Sequence, residues 1–448
     1  MRRLLLSICA AALVAAALPT PAAAQKLAVG RHTLDNGMTV LTHEDHSIPM
    51  ISLYVFYRVG SRNERPGITG VSHLFEHMMF NGSAKYGPKQ FDLVLENAGS
   101  GGNGYTTYDF TAYLETFPRE ALPAVLDLEA DRMRSLTIGE KNLEQERGIV
   151  KEERRVSTDN SPQGRMFEEM LAAAFVAHPY QWPVVGWMGD LDAIKLEEAQ
   201  RYFDTYYGPN NATLVVTGDF KTEDLLKEVR ASFGAVPKRG APQPVPNSEP
   251  EQKGERRVSL VYDASLPAVM LGYKTPAARH ADAPALEVLS TILGTGESSR
   301  LYRKLVYGQV ATEVNSSFMT YADPMLFTFY AQAQEKTTAA QCEAAIAEVL
   351  RDVKSGGVTA DELQKAKNLL RAGVINNLQT IESKANLIGS FEVQYGDWRA
   401  LTTILDRYDA VTSDDIKRVA AEYFNDNRKT VVTLVLPEAA KEVANAPK

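Results

Sequence analysis

Two cysteines in 448 residues are too few to staple a fold. Cys9 lies inside the apolar run from Leu4 to Leu18, which leaves Cys342 alone and excludes internal disulfides from the rest of the chain. Long apolar stretches are equally scarce. After Ala24 nothing approaches the roughly 18 uninterrupted apolar residues of a membrane span, so no membrane anchor is expected. Positive charge is in deficit, with 48 Lys and Arg against 56 Asp and Glu, which argues against nucleic acid as a partner. At 44% hydrophobic and 23% charged, the chain is neither disordered nor collagen-like and has room for two to three domains.

The first 24 residues have a different character. Arg2 and Arg3 precede the apolar run, and Ala22-Ala23-Ala24 offers a small-residue cleavage site before Gln25. A signal peptide over 1–24 and an exported mature protein are expected, periplasmic if the source is a Gram-negative bacterium. Its removal takes away two arginines and no acid, so the mature charge becomes 46 − 56 = −10.

The densest proline and charge cluster begins at Val236 and reads as a linker over 236–256. It separates halves of similar length, 25–235 and 257–448. Several residues recur 217 positions apart. Phe110-Thr111-Ala112-Tyr113 meets Phe327-Thr328-Phe329-Tyr330, while Tyr206, Asn210, Thr213 and Val215 meet Tyr423, Asn427, Thr430 and Val432. A shared offset over such a distance predicts two homologous domains. Asp35-Asn36-Gly37 signals a hairpin, Ile51 to Val59 alternates as a strand, and Gly67 to Phe80 turns helical. Pro88 opens a helix that Gly99 closes, Asn103 to Thr116 is an extended run, and helices follow over Arg119–Ser135 and Gly139–Val156. Strands and helices do not alternate strictly. The pattern predicts α+β domains, each a mainly antiparallel sheet with helices packed on one face.

Chemistry is concentrated in His73-Leu74-Phe75-Glu76-His77. Histidines at i and i+4 stand one turn apart on one helix face and can share a zinc ion, with Glu76 beside them. With only 7 histidines, such a pattern arises by chance about 0.01 times per chain of this composition. A catalytic zinc takes three protein ligands and leaves a fourth position to water, so another residue has to contribute. Glu144, Glu146, Glu152 and Glu153 are all available on the Gly139–Val156 helix. Glu146 and Glu153 share a face, but spacing alone does not choose among the four. His43-Glu-Asp-His46 is read as a solvated turn, and His32, His178 and His280 have no ligand-spaced partner.

These residues resemble the pitrilysin-type, or inverzincin (M16), zinc metallopeptidases, which include the mitochondrial processing peptidases and insulin-degrading enzyme. The resemblance covers nearly the whole mature chain. It rests on His73 to His77, on Gly99-Ser-Gly-Gly-Asn-Gly-Tyr-Thr106, on Glu146-Arg-Gly-Ile-Val-Lys-Glu-Glu153 and on Ser298-Ser-Arg-Leu-Tyr302. The family's third ligand follows the second histidine at the spacing that selects Glu153 here, since 153 − 77 = 76. The resemblance then implies one zinc per chain held by His73, His77 and Glu153, with Glu146 orienting the site and Glu76 as the catalytic base of peptide hydrolysis. It implies further that Asn103, Gly104, Tyr105 and Thr106 lie on a sheet edge where a peptide substrate adds as a strand. The family usually has Ala where Gly104 stands, a departure expected to loosen that strand.

The positions 217 beyond His73, Glu76 and His77 are Ser290, Leu293 and Gly294, so the second domain is expected to lack zinc ligands. Relatives carry an Arg and a Tyr there that contact substrate and oxyanion. Here Val306 and Thr312 fall at those places, and neither side chain replaces its counterpart. A homologous partner chain supplying the pair, and thus a heterodimer, is expected, with a homodimer as the alternative. The rival to a zinc endopeptidase subunit is a non-enzymatic peptide-binding or scaffold subunit of the same family.

Overall fold

The computed structural model describes residues 27–240, 242, 244–245 and 249–440, so the expected signal peptide lies outside the described residues. In the first half, strands β1 (Gly30–Thr33), β2 (Thr39–Glu44), β3 (Met50–Tyr57), β4 (Gly101–Thr106), β5 (Thr111–Pro118) and β6 (Ala212–Gly218) form one sheet in the order β1-β2-β6-β3-β5-β4. Its helices are α1 (Val71–Met78), α2 (Gln90–Asn97), α3 (Leu122–Ser135), α4 (Glu140–Arg154), α5 (Pro162–Ala174), α6 (Met188–Ala193), α7 (Leu196–Tyr206) and α8 (Thr222–Phe233).

The second half repeats the plan. Strands β7 (Arg256–Val261), β8 (Ala268–Thr275), β9 (Ala311–Phe318), β10 (Met325–Ala333) and β11 (Lys429–Val435) run in the order β7-β11-β8-β10-β9. Helices α9 (Ala283–Gly294), α10 (Ala339–Gly356), α11 (Ala360–Asn377), α12 (Ile381–Tyr395), α13 (Ala400–Ala410) and α14 (Ser413–Tyr423) accompany them. The pairs β2·β6 and β7·β11 are parallel and every other pairing is antiparallel, giving the α+β architecture expected from the sequence. Between α8 and β7 the described residues form neither helix nor strand.

Two sequence readings change in detail. The run over Asn103–Thr116 is two strands, β4 and β5, folded back on each other. The turn between them contains no Gly or Pro. It is made by the Thr107 hydroxyl, which accepts from the N–H groups of Asp109 and Phe110 at 3.1 and 3.0 Å, a side-chain device that composition does not advertise.

The second correction is to the repeat. Tyr57 pairs with Ala212 and Thr111, and its counterpart Tyr273 pairs with Lys429 and Phe327. The β6 and β11 strands therefore match at 429 − 212 = 217, whereas β5 matches β10 at 327 − 111 = 216. A one-residue slip moves every side chain to the other face. The match of Phe110 to Phe327 is therefore a chance identity within a genuine duplication.

Each sheet has two apolar faces, and its own helices cover one. The other is covered by the opposite half: α5 crosses β7, β8 and β11, while α12 crosses β3 and β6. Met166, Met170 and Leu171 of α5 are fully buried against Met270, Leu326 and Leu434, and each such side chain contributes about 1.5–3 kcal/mol of apolar burial. On the reciprocal side, α12 approaches so closely at Gly389 that a Cβ there would sit 1.9 Å from the Phe56 ring. Polar contacts fix this seam. Glu392 takes Arg31 at 2.7 Å and Arg58 at 3.4 Å, Lys384 takes Asp45 at 2.5 Å, and Thr217 donates to the Ile381 carbonyl at 2.6 Å. The two halves are separate repeats in sequence and joint owners of their cores.

Candidate active site

Helix α1 is divided by its own periodicity. Val71, Leu74, Phe75 and Met78, at i, i+3, i+4 and i+7, are buried against the first sheet, which turns His73, Glu76 and His77 toward the groove. Its start is fixed by Gly70 at φ +88°, where a Cβ would meet the Val185 carbonyl at 2.5 Å. Glu64 accepts from the N–H groups of Gly70 and Ser72 at 2.8 Å each, satisfying two donors at the helix start. Burial pushes the Glu64 carboxyl up to about 8 against the pull of those two donors.

Helix α4 runs alongside, anchored by buried arginines. Arg147 donates to the carbonyls of Leu191 and Ile194, and Arg154 donates to the Gly186 carbonyl at 2.7 Å and pairs with Glu168 at 2.9 Å. This fixes its rotation so that Glu146 and Glu153 face α1. Beyond Arg154 the helix widens into a π-type turn over Arg155–Asp159, a distortion common beside functional sites.

Three donor atoms converge. Glu153 Oε2 lies 3.5 Å from His73 Nε2 and 3.4 Å from His77 Nε2. Zinc bonds of about 2.0–2.2 Å in a tetrahedral arrangement require ligand atoms about 3.3–3.6 Å apart, so the donor set fits the ion. Among the described residues, these three form the one cluster of His, Cys, Asp and Glu with metal-ligand spacing. Glu146 Oε2 stands 3.4 Å from His77 Nδ1, on the side of the ring away from Glu153. Contact of this kind orients a ligating imidazole and raises its basicity. Glu144 pairs with Arg147 at 3.0 Å and Glu152 with Arg155 at 2.6 Å, which removes both from the ligand question the sequence left open.

The electrostatics differ from one group to the next. Burial, then the neighbouring His77, lowers the His73 pKa to about 4, which keeps that ring neutral as a ligand must be. Burial also lowers His77, but the carboxylates of Glu146, Glu153 and Glu76 outweigh it and hold that ring above its ordinary value. Glu146 is lowered by its hydrogen bond with His77. Burial, reinforced by Glu153, raises Glu76 against the opposing hydrogen bond from Thr106.

Strand β4 forms the edge of the first sheet, and its four singled-out residues do different things. The Thr106 hydroxyl donates to Glu76 Oε2 at 2.6 Å, and the Tyr105 hydroxyl donates to Asn386 of α12 at 2.8 Å. Asn103 is exposed and turns its Oδ1 onto the N–H of Gly104 at 2.9 Å. Gly104 does not break the strand, which stays paired with β5 from Gly101 to Thr106. A Cβ at Gly104 would lie 3.1 Å from Glu76 Cγ, so the missing side chain leaves space beside the carboxylate. The Thr106 bond to Glu76, the Glu64 brace and the Asn386 contact were not read from the sequence, since each depends on a fold-level juxtaposition. His43 and His46 stay at an exposed strand end, where His46 pairs with Asp219 at 2.7 Å.

A groove of about 1090 Å³ opens over His73, Glu76 and Glu153, bounded by Tyr105 and Thr106 on the strand side. The arrangement couples a three-donor metal site, an adjacent carboxyl and an open sheet edge.

Known proteins resemble this chain in sequence and fold. Residues 39–186 match the family model described as Insulinase (Peptidase family M16), and residues 193–370 match the one described as Peptidase M16 inactive domain. The second label agrees with the structural match: at the 216-residue offset of the flanking strands, Leu289, Ile292 and Leu293 stand where ligands would be, and at 217 Ser290, Leu293 and Gly294, so neither alignment supplies zinc ligands. The chain is 34% identical over 408 residues to the zinc protease PqqE of Helicobacter pylori, covering 90% of this chain and 91% of that one. It is 26% identical over 417 residues to the mitochondrial-processing peptidase subunit beta of Lentinula edodes, covering 88% of this chain and 87% of that one. The crystal structure of a protease from Helicobacter pylori superposes with a TM-score of 0.88 at 33% identity, covering 91% of this chain and 99% of that one. The periplasmic protease PqqL of Escherichia coli shares the fold at a TM-score of 0.76 and 17% identity, with 96% of this chain matching 49% of that one. On the extent of these likenesses and the fold they share, the chain belongs to peptidase family M16.

Proposed function

We propose that the chain is a zinc-dependent endopeptidase subunit that hydrolyses peptide bonds in oligopeptides or unfolded segments, with Glu76 as general base. His73, His77 and Glu153 would hold one zinc ion, and Glu146 would orient His77. Bound there, zinc supplies Lewis acidity, lowering the pKa of a coordinated water toward about 7 and polarising a carbonyl oxygen. The observation that carries the reading is Glu76. Its carboxyl stands beside the three donors and is anchored by Thr106, and its raised proton affinity suits a group that takes a proton from water and returns it to a leaving amine. The edge of β4 offers main-chain hydrogen bonds to an extended peptide, a mode of pairing that does not read side chains.

The proposal includes a homologous partner chain. Val306 packs against the second half's core, and the Thr312 hydroxyl is engaged with the Gln332 side chain at 3.1 Å, so neither is placed to stabilise an oxyanion. The match to about half the length of PqqL supports, at the level of fold, two such units working together. Export is part of the same reading and is supported by the composition of residues 1–24 alone.

The test is zinc content combined with cleavage of a quenched, unstructured peptide. The mature chain alone is expected to bind one zinc and cleave slowly. A homologous chain that carries the Arg and Tyr but no zinc motif is expected to raise the rate by about 10²–10³ per oxyanion donor supplied. Full activity from the isolated chain would overturn the partner, and a zinc-loaded assembly without peptidase activity would favour the scaffold reading.

A further inference from the structure

The three donors come from two helices, His73 and His77 from α1 and Glu153 from α4. A metal site tolerates ligand distances only within about 0.2 Å, so the placement of one helix against the other has to be set by something stiff. Helix α1 has eight residues, too few to hold a direction by itself. Its direction comes from its buried face and from what grips its start.

One short segment holds both helices. Gly186 to Ile194, which contains α6, turns three carbonyls toward α4. Gly186 accepts from Arg154, the residue after Glu153, at 2.7 Å, and Leu191 and Ile194 accept from Arg147. The same segment reaches the start of α1 through Asp190. One oxygen of that carboxylate, Oδ2, accepts from the N–H groups of Gly67 and Thr69 at 3.0 and 3.2 Å and from the Thr69 hydroxyl at 2.7 Å. The Thr69 hydroxyl oxygen in turn accepts from the Trp187 N–H at 3.0 Å, which doubles the link. The backbones interlock at the same place. Gly70 and Gly186 have φ of +88° and +79°, and a Cβ on Gly186 would lie 2.5 Å from the Gly70 Cα.

The residue type is informative. An ordinary helix start is served by one hydroxyl or amide cap, and Glu64 already takes the N–H groups of Gly70 and Ser72. Asp190 adds three bonds, all to the loop that leads into His73, and charge-assisted bonds of this kind are roughly twice as strong as neutral ones.

We propose that Asp190 is a positioning residue of the metal site, fixing the start of α1 to the segment held by α4 and so setting His73 and His77 at bonding distance from a zinc ion shared with Glu153. The inference rests on the metal reading and adds to it a residue outside the groove.

Metal affinity tests this without turnover. Zinc is titrated into the full-length chain against a chromophoric chelator, and the visible spectrum of bound cobalt(II) reports the ligand geometry. Asp190→Ala is expected to weaken zinc binding about 10- to 100-fold and to alter the cobalt spectrum. Asp190→Asn keeps an oxygen able to take the place of Oδ2 and is expected to recover most of that loss. Thr69→Val, a milder change that removes only the hydroxyl link, is expected to weaken zinc binding to a smaller extent. Gly189→Ala, in the same segment with nothing within 4 Å of the added methyl group, is expected to leave affinity and spectrum unchanged. Unaltered affinity in folded Asp190→Ala, with a lower melting temperature as the one effect, would overturn the inference and leave Asp190 a structural anchor. Should Asp190→Ala fail to fold, unaltered affinity in Thr69→Val would overturn it equally. An unsubstituted chain that binds no zinc would defeat the metal reading and this inference with it, an outcome distinct from a variant that binds normally.

Discussion

Helices α1 and α9 occupy matching places in the two halves, and only one of them can do chemistry. Each lies against the edge strand of its sheet, α1 on β4 and α9 on β9. Over β4, Glu76 stands beside Gly104, where a Cβ would meet the Glu76 Cγ at 3.1 Å and the Tyr113 ring at 3.2 Å. Over β9, Gly294 is pressed so close to Ser316 that a Cβ would sit 2.3 Å from its hydroxyl oxygen. One scaffold thus supports a groove lined by ligands in the first half and tight packing in the second. A few side chains separate the two outcomes, while the sheets, their order and the exchanged helices are common to both. The second half remains indispensable to the first through α12, which covers its sheet and holds Tyr105 of the edge strand.

The most drastic way to break the comparison is to cut the chain. Residues 27–235 alone would expose Tyr54, Phe56, Phe110, Ala112 and Val215, all of which are buried in the shared core. That fragment is expected to show no cooperative melting transition and no zinc binding; a sharp calorimetric transition would mean that the halves fold independently. Glu76→Gln leaves the three ligands in place and removes the base. Peptidase activity, measured in whichever assembly is active, is expected to fall by about 10²–10⁴ with zinc content unchanged. Glu153→Gln is expected to empty the purified protein of zinc, whereas Glu152→Gln is not, because Glu152 is paired with Arg155 and is not among the three converging donors. Glu146→Gln should fall between them, with a loss of about 10- to 100-fold in affinity or activity.

Smaller effects sharpen the seam between the halves. Gly389→Ala forces a methyl group toward Phe56 and is expected to cost about 1–3 kcal/mol in thermal or urea unfolding. Gly373→Ala, in α11 with nothing within 4 Å, is expected to stabilise by about 0.5–1 kcal/mol. Lys384, followed by Ser47, holds the Asp45 carboxyl well below the ordinary carboxylate range. Its contribution is therefore present above the unfolded value near 4 and is lost as the pH falls through and below that value. Asp45→Asn should reduce the drop in melting temperature between pH 6 and pH 3.

Local patterns carried most of the site. The i and i+4 histidines needed one helix with an apolar opposite face, and the run Val71 to Met78 states both in eight residues. The third ligand was not local: spacing left four glutamates on α4 equivalent and the family resemblance selected Glu153, while in the structure the ion pairs of Glu144 and Glu152 and the rotation fixed by Arg147 and Arg154 separate them. The duplication was legible through β6 and β11, where strand and turn chemistry repeat together. The β5 match misled by one residue, since Phe and Tyr suit either face of a strand. The helix exchange left no pattern to read, because an apolar sheet face looks the same whichever half covers it.

Anomalous scattering at the zinc absorption edge, from crystals of the full-length chain grown with zinc, tests the central claim most directly. One strong peak per chain is expected, within about 2.0–2.2 Å of His73 Nε2, His77 Nε2 and a Glu153 oxygen, with Glu76 outside bonding distance and nothing between α9 and β9. A peak elsewhere, or one enclosed by four protein ligands, would contradict the assignment of catalytic zinc to the first half.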